Sequence, residues 1–282
     1  FTAVNAMGQG IATSLAQLVV DVFGVPLSQV RIVMGDTDRG NGFGSAGSRS
    51  LFTGGSAVSV GSKQALDKAQ ELAAEALEAA PQDLRYEQGS FHVAGTDLKI
   101  GLAELAARQP TQRIEINSKT AAKGPTWPNG CHVCEVELDP KTGEVQVVSY
   151  ASVNDIGRVV NPMIVQGQLD GGAVQGIGQA LLEQVVYDEE TGQLLTGSLM
   201  DYAVPHADIM PVMFDTHTDQ SIPCKNNVLG VKGVGELGTI GATPAVVNAV
   251  ADALARHGRG DISTQLQMPL TPYRLWRLMQ AA

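Results

Sequence analysis

Gln168-Leu169-Asp170-Gly171-Gly172-Ala173-Val174-Gln175-Gly176-Ile177-Gly178-Gln179-Ala180-Leu181-Leu182 mixes helix-forming residues with glycines that a solvated helix would not carry. The run follows the loop exit Asn161-Pro162 and reads as a helix start whose bare backbone lies close against something. Gln168, Gln175 and Gln179 offer neutral donors and acceptors beside it. Upstream, Cys131 to Leu138 and Glu144 to Val153 alternate around the turn Asp139-Pro140-Lys141-Thr142-Gly143, which predicts a hairpin. Downstream, Pro244 to Ala255 reads as a helix with proline in its first turn, and Ser263 to Leu278 as a terminal packing segment.

The first part of the chain repeats the mixture. Phe1 to Ala6 reads as the end of a strand that began earlier, so a processed or truncated start is expected. Met7-Gly8-Gln9-Gly10 leads into Ile11 to Phe23, where Ile11, Leu15, Leu18, Val19 and Val22 recur at helical spacing. Gly24-Val25-Pro26 stops that helix, Val30 to Met34 predicts a strand, and Gly35 to Gly47 a glycine-rich loop with Asp36 and Asp38. A long helix is expected from about Ala57 to Ala80, and hairpin material with a turn at Gly89 over residues 82 to 110. Lys123 to Gly130 marks a boundary. The expected fold is α+β: two mixed α/β lobes, 1–120 with a small inserted hairpin region at about 82–115, and 121–282.

At 282 residues the chain can build a sizeable core, and its formal charge of -10 argues against nucleic acid or an anionic membrane surface as partner. A small-molecule substrate or a protein partner is expected instead. Three cysteines do not suggest a disulfide framework, so a reducing, cytoplasmic location is the default. No apolar stretch reads as a membrane span.

Asn227 to Gly238 places a single carboxylate, Glu236, among glycines that clear side chains from around it. It is the candidate catalytic base; the plainer alternative is a solvated glutamate in a flexible loop. Gly42-Phe43-Gly44-Ser45-Ala46-Gly47 fits the dinucleotide-binding glycine pattern without its strand-turn-helix context, leaving an NAD-dependent dehydrogenase as an alternative reading. Cys131-His132-Val133-Cys134 lacks the second ligand pair that a zinc site needs, and strand alternation explains it better. His206 and His217 read as surface or structural residues.

Three glycine-rich stretches, Gly8-Gln9-Gly10, Gly40 to Ser50 and Gln168 to Gly178, combine bare backbone with amides or hydroxyls. The first and third are expected to open onto helices whose N–H groups suit phosphate oxygens. Met7-Gly8-Gln9-Gly10, Gly47-Ser48-Arg49-Ser50, Val174-Gln175-Gly176-Ile177-Gly178 and Gly233-Val234-Gly235-Glu236 stand in the order and approximate spacing of the large subunit of the molybdenum hydroxylases. Over nearly its whole length the chain resembles the C-terminal half of that subunit, which occurs in xanthine dehydrogenase, aldehyde oxidoreductase and aerobic carbon monoxide dehydrogenase.

The resemblance implies that Gly8, Gln9, Gly10, Ala46, Gly47, Ser48, Arg49, Ser50, Gln175, Lys232, Gly233, Val234 and Gly235 bind molybdopterin, in its cytosine dinucleotide form. The Gly47 backbone would lie near the molybdenum, with no side-chain metal ligand. Glu236, in a water-poor pocket, would be the base for hydroxylation of an electron-poor carbon with oxygen from water. The family's first molybdenum-binding half is not in this sequence, so a partner chain or a fragment is implied, with [2Fe-2S] and FAD on partner subunits. A non-catalytic cofactor-binding or assembly module remains the other alternative.

Overall fold

Gly10 and Gly24, both in the left-handed region (φ 75° and 58°), bracket the first helix, α1 (Ile11–Phe23). The structure, a computed structural model, describes every residue except Gly40, Asn41, Ala281 and Ala282, so part of the expected Gly40 to Ser50 loop lies outside the described residues. Two compact units form. The first comprises Phe1–Thr126 and Pro223–Lys232, the second Trp127–Ile222 and Gly233–Ala282, so Pro223–Lys232 is not separated from the first unit as a division at 120/121 would have it.

In the first unit, α2 (Ser56–Leu77) grows out of a π-helical turn, Ser50–Gly55, earlier than the expected start near Ala57. The turn wraps tightly: a Cβ at Gly54 would sit 2.6 Å from Val4 Cγ1, while one at Gly55 would press on the Cδ1 atoms of Leu229, Leu51 and Leu18 at 3.0–3.2 Å. Strands β1 (Leu84–Glu87), β2 (Ser90–Val93) and β3 (Lys99–Gly101) make an antiparallel sheet, followed by α3 (Leu102–Ala107). Gln88 and Gly89, with φ of 45° and 84°, form the tight turn between β1 and β2. The sheet closes on α2 through Phe91, Ile100, Leu105, Ala69 and Ala73. Neither Val30 to Met34 nor Phe1 to Ala6 is a strand; only a hydrogen bond from the Thr2 N–H to the Val33 carbonyl, 3.0 Å, links them. A pair of segments without a further strand has little to hold a ladder.

In the second unit, β4 (Asn129–Leu138) pairs antiparallel with β5 (Val145–Asp155), which pairs parallel with β6 (Met213–Asp219). Helix α4 (Pro162–Leu181) begins where its sequence caps it. Pro162 occupies the first turn, and the Asn161 side chain accepts from the Ile164 N–H at 3.0 Å. The glycines of the run 168–178 are therefore not a helix start, as expected from sequence, but the middle of α4. They meet α5 (Leu237–Arg256), which also starts earlier than expected and carries Pro244 inside it. A Cβ at Gly238 would lie 2.5 Å from the Leu169 carbonyl oxygen, and one at Gly176 3.0 Å from the Thr239 carbonyl oxygen, so backbone packs on backbone. By length and composition α5 is apolar enough to cross a membrane, yet Val246, Val250 and Leu254 are buried in the core of this unit. Helix α6 (Pro272–Gln280) adds Leu275 and Met279 to that core.

Gly238→Ala should lower stability by roughly 1–3 kcal/mol, because the added methyl meets backbone that cannot swing away. Gly171→Ala, on the open side of α4 with nothing within 4 Å, should raise it by about 0.5–1 kcal/mol. Denaturant midpoints of the two variants should move in opposite directions.

Candidate functional site

Asn5 is the point on which the first unit's expected loops converge. Its carbonyl accepts from Gln9 Nε2 at 2.9 Å, and Gln9 Oε1 accepts from the Met7 N–H at 2.7 Å. The Ser45 hydroxyl accepts from the Asn5 N–H at 2.9 Å and donates to the Asn5 carbonyl at 2.8 Å. Through one backbone residue, Gly8-Gln9-Gly10 and the Gly44 to Ser50 loop thus become neighbours, although 40 positions separate Asn5 from Ser45.

Gly47 and Ser48 are both left-handed, with φ of 59° and 54°. Ala46 and Gly47 are exposed, Ser48, Arg49 and Ser50 are half-buried, and the Arg49 guanidinium stacks 3.8 Å from the Phe43 ring centroid. Gly8 (φ 94°) and Gly47 face space in which an added Cβ would meet nothing within 4 Å. Beside them the N-terminus of α1 has no side-chain cap and no acidic residue in its first turn, so its first N–H groups suit an anionic group. These features fit a phosphorylated heterocycle: bare backbone, neutral amide and hydroxyl groups, and a helix start. They do not fit a nicotinamide dinucleotide fold. Among the described residues no strand runs into Gly42 to Gly47, no α-helix starts within it, and the sheet of this unit is antiparallel.

In the second unit, Gln175 is exposed in the middle of α4, not at a helix start. Gly233 is buried, Val234 is half-buried, and Gly235 and Glu236 are exposed. Glu236 is the N-cap residue of α5: its carbonyl accepts from the Ile240 N–H at 3.2 Å, and the Leu237 N–H reaches the Val234 carbonyl at 3.2 Å. The carboxylate thus stands at the positive end of a 20-residue helix. The water-poor pocket expected around it is not supplied by this chain alone, since the residue is exposed. Lys232 is buried in the first unit and engaged. Among the described residues no group of three or more His, Cys, Asp or Glu side chains could hold a metal ion.

His132 is the residue whose setting the sequence did not reveal. Considered there only as a metal ligand, it points inward from β4, while Cys131 faces out. Its Nδ1 lies 2.5 Å from the Tyr150 hydroxyl and its Nε2 3.1 Å from Asn154 Oδ1. Asn154, fully buried, donates through Nδ2 to Ser152 Oγ at 2.9 Å and to the His217 carbonyl at 3.3 Å. That orients Asn154 Oδ1 as the acceptor of a proton from His132 Nε2, and in the neutral form of the ring Nδ1 is then the acceptor for the Tyr150 hydroxyl. Burial lowers the His132 pKa below its usual value, partly countered by the hydrogen bond to Asn154. Burial also pushes the Cys134 thiol up to about 11, so Cys134 is a packing residue and not half of a thiolate site. His217 is exposed beside Asp215 at 2.9 Å, and His206 is exposed ahead of a short 3-10 turn.

Comparison with known proteins adds a second kind of observation. A sequence model of the molybdopterin cofactor-binding domain matches residues 1–211. The chain belongs to the molybdenum hydroxylases, as part of the large subunit. It is 37% identical to the gamma subunit of the 6-hydroxypseudooxynicotine dehydrogenase complex of Paenarthrobacter nicotinovorans, over 99% of this chain and 36% of that subunit. Identity to the carbon monoxide dehydrogenase large chain of Hydrogenophaga pseudoflava is 34%, over 97% of this chain and 34% of the other. The crystal structure of quinoline 2-oxidoreductase from Pseudomonas putida 86 superposes with a TM-score of 0.81 at 36% identity, covering 99% of this chain and 36% of that one. The chain thus spans about a third of the length of these molybdenum hydroxylases.

Two measurements probe this geometry. Ser45→Ala removes both hydroxyl bonds to Asn5 and should speed hydrogen exchange of the Asn5 amide about fivefold, the equivalent of roughly 1 kcal/mol. Since the folded-state pKa of His132 is lowered, the unfolded chain binds its proton first. The stability linked to it is complete above the unfolded value, about 6.5, and is lost as the pH falls from there through the folded value. His132→Gln should remove that component, flattening the fall of the unfolding free energy as the pH drops below about 6.5 relative to the parent.

Proposed function

We propose that this chain is the C-terminal molybdopterin-binding part of an enzyme that hydroxylates an electron-poor carbon with oxygen from water. The observation that carries the reading is the convergence of Gly8-Gln9-Gly10 and Gly44 to Ser50 on Asn5, beside the uncapped start of α1. In this reading Gly8, Gln9, Gly10 and Ala46 to Ser50 hold the pterin and its phosphates in the first unit, with the Gly47 backbone nearest the molybdenum. Lys232 to Gly235 and Gln175 add further cofactor contacts. Bound molybdopterin supplies the two-electron redox chemistry that no side chain here can supply.

Glu236 is the base. Its carboxylate accepts the proton from the water-derived oxygen nucleophile as that oxygen attacks the substrate carbon. The glycines before it keep side chains out of the approach, and α5 fixes where the carboxylate stands. The remainder of the large subunit, on this chain or a partner, closes the pocket and excludes water from a carboxylate that is exposed here.

For the substrate we infer an N-heteroaromatic ring, with a purine or an aldehyde as variants of the same chemistry. The naming of quinoline and of 6-hydroxypseudooxynicotine among the relatives supports this choice, and the carbon monoxide dehydrogenase likeness stands against it. The cofactor is inferred to be the cytosine dinucleotide form, with [2Fe-2S] and FAD on partner subunits in the cytoplasm. Mild acid hydrolysis of the purified enzyme should release CMP; release of no nucleotide would sink the dinucleotide form.

Glu236→Gln in the assembled enzyme should keep stoichiometric molybdenum and lose turnover by about 10²–10⁴-fold. Full activity would remove Glu236 from the mechanism. Full molybdenum in a complex inactive on every electron-poor carbon offered would favour the cofactor-binding or assembly role.

A further inference from the structure

The inward face of the sheet β4-β5-β6 changes character along its length. At one end it is apolar, with Val147, Val136 and Leu138 in the core. At the other, Ser152, Asn154 and His132 turn inward, two of them on β5 and one directly across on β4, where His132 pairs with Ser152. Burying this many polar groups stabilises nothing by itself and is tolerated because their hydrogen bonds close on one another. Tyr150 donates to His132, His132 to Asn154, and Asn154 to Ser152 and to the β6 backbone at His217. Tyr150 is in turn held by stacking on Phe214 of β6, centroids 5.4 Å apart.

The His132 ring also touches α5. A Cβ at Gly241 would fall 2.5 Å from Cδ2, Cε1 and Nε2 of the imidazole, so the ring occupies the space where that helix has no side chain. Gly241 lies in the second turn of α5 and Glu236 caps its first. On a neighbouring face of the same helix, Gly172 and Gly176 of α4 meet Gly238 and Ala242 with nothing larger than the Ala242 methyl in the contact. The first two turns of α5 are therefore seated against both a close backbone contact and an imidazole held by two hydrogen bonds.

We propose that His132 is a positioning residue for the hydroxylation reaction, setting through Gly241 the place of the α5 start and so of the Glu236 carboxylate. The proposal rests on the reading of Glu236 as the base. An imidazole suits the role: it is flat enough to lie against a glycine and carries two ring nitrogens on different edges, which Tyr150 and Asn154 both engage.

The test uses the assembled enzyme in four forms: parent, His132→Leu, His132→Gln and Glu236→Gln. Leucine removes both hydrogen bonds at similar volume, whereas glutamine keeps a donor and an acceptor. Molybdenum content, thermal midpoint, kcat and KM, and hydrogen exchange of the amides from Leu237 to Thr243 are measured together. Expected for His132→Leu are parental molybdenum, a kcat lowered about 10- to 100-fold with KM within threefold, and faster exchange confined to the first two turns of α5. His132→Gln should recover most of both losses. Gly241→Ala, which pushes on the ring from the helix side, should reproduce the kcat loss.

Parental kcat in His132→Leu, with Glu236→Gln inactive, overturns the positioning role and leaves the base in place. A kcat loss that tracks lost molybdenum or general exchange, without rescue by glutamine, also overturns it, as a merely structural residue would behave so. Activity in Glu236→Gln removes the base reading, and this proposal with it.

Discussion

The second unit depends on the seam where α4 and α5 meet with nothing larger than a methyl group between them. Gly172, Gly176 and Gly238 let the two backbones approach until a methyl group at Gly238 would lie 2.5 Å from a carbonyl oxygen. That close approach costs helix propensity at each glycine, and the core beneath offsets it: Ala173, Ile177 and Ala180 of α4 pack with Ala242, Val246 and Val250 of α5. A contact of this kind has one register. It fixes how far α5 extends past α4 and therefore where the residue that caps α5, Glu236, stands.

The first unit uses hydrogen bonds where the second uses contact. Asn5 has no chemistry of its own in the reading developed above, yet its main chain takes three hydrogen bonds, from Gln9 Nε2 and with the Ser45 hydroxyl. Glycine loops lose the most entropy on ordering, so tying two of them to one backbone residue lowers what a ligand must still supply on binding. The π-helical turn Ser50–Gly55 continues the same economy: Gly54 against Val4 locks the far side of the loop to the segment that carries Asn5.

A polar interior is the cost that accompanies this arrangement. Tyr150, Ser152 and Asn154 would stabilise the second unit more simply as apolar residues, and a closed network makes them tolerable without making them favourable. Their order along β5 places the polar end of the sheet against the start of α5 and the apolar end, around Val147, against its middle.

Much of this was legible in the chain. Alternation from Cys131 to Val153 specified the β4–β5 hairpin, the apolar spacing from Ile11 to Phe23 specified α1, and ordered motifs pointed to the molybdenum hydroxylases, because local patterns of period 2 and 3.6 and short backbone-driven motifs are written in neighbouring residues. Three things were decided only by tertiary structure. The glycines of 168–178 became a mid-helix seam because a second glycine-bearing helix was there to receive them. Val30 to Met34 stayed out of any ladder because its neighbour Thr2 offered one bond and, among the described residues, no third strand lies beside it. His132 became the centre of a buried network because Tyr150, Asn154 and Gly241, remote in sequence, all meet on one face of the sheet, and no local pattern encodes contacts across 18, 22 and more residues.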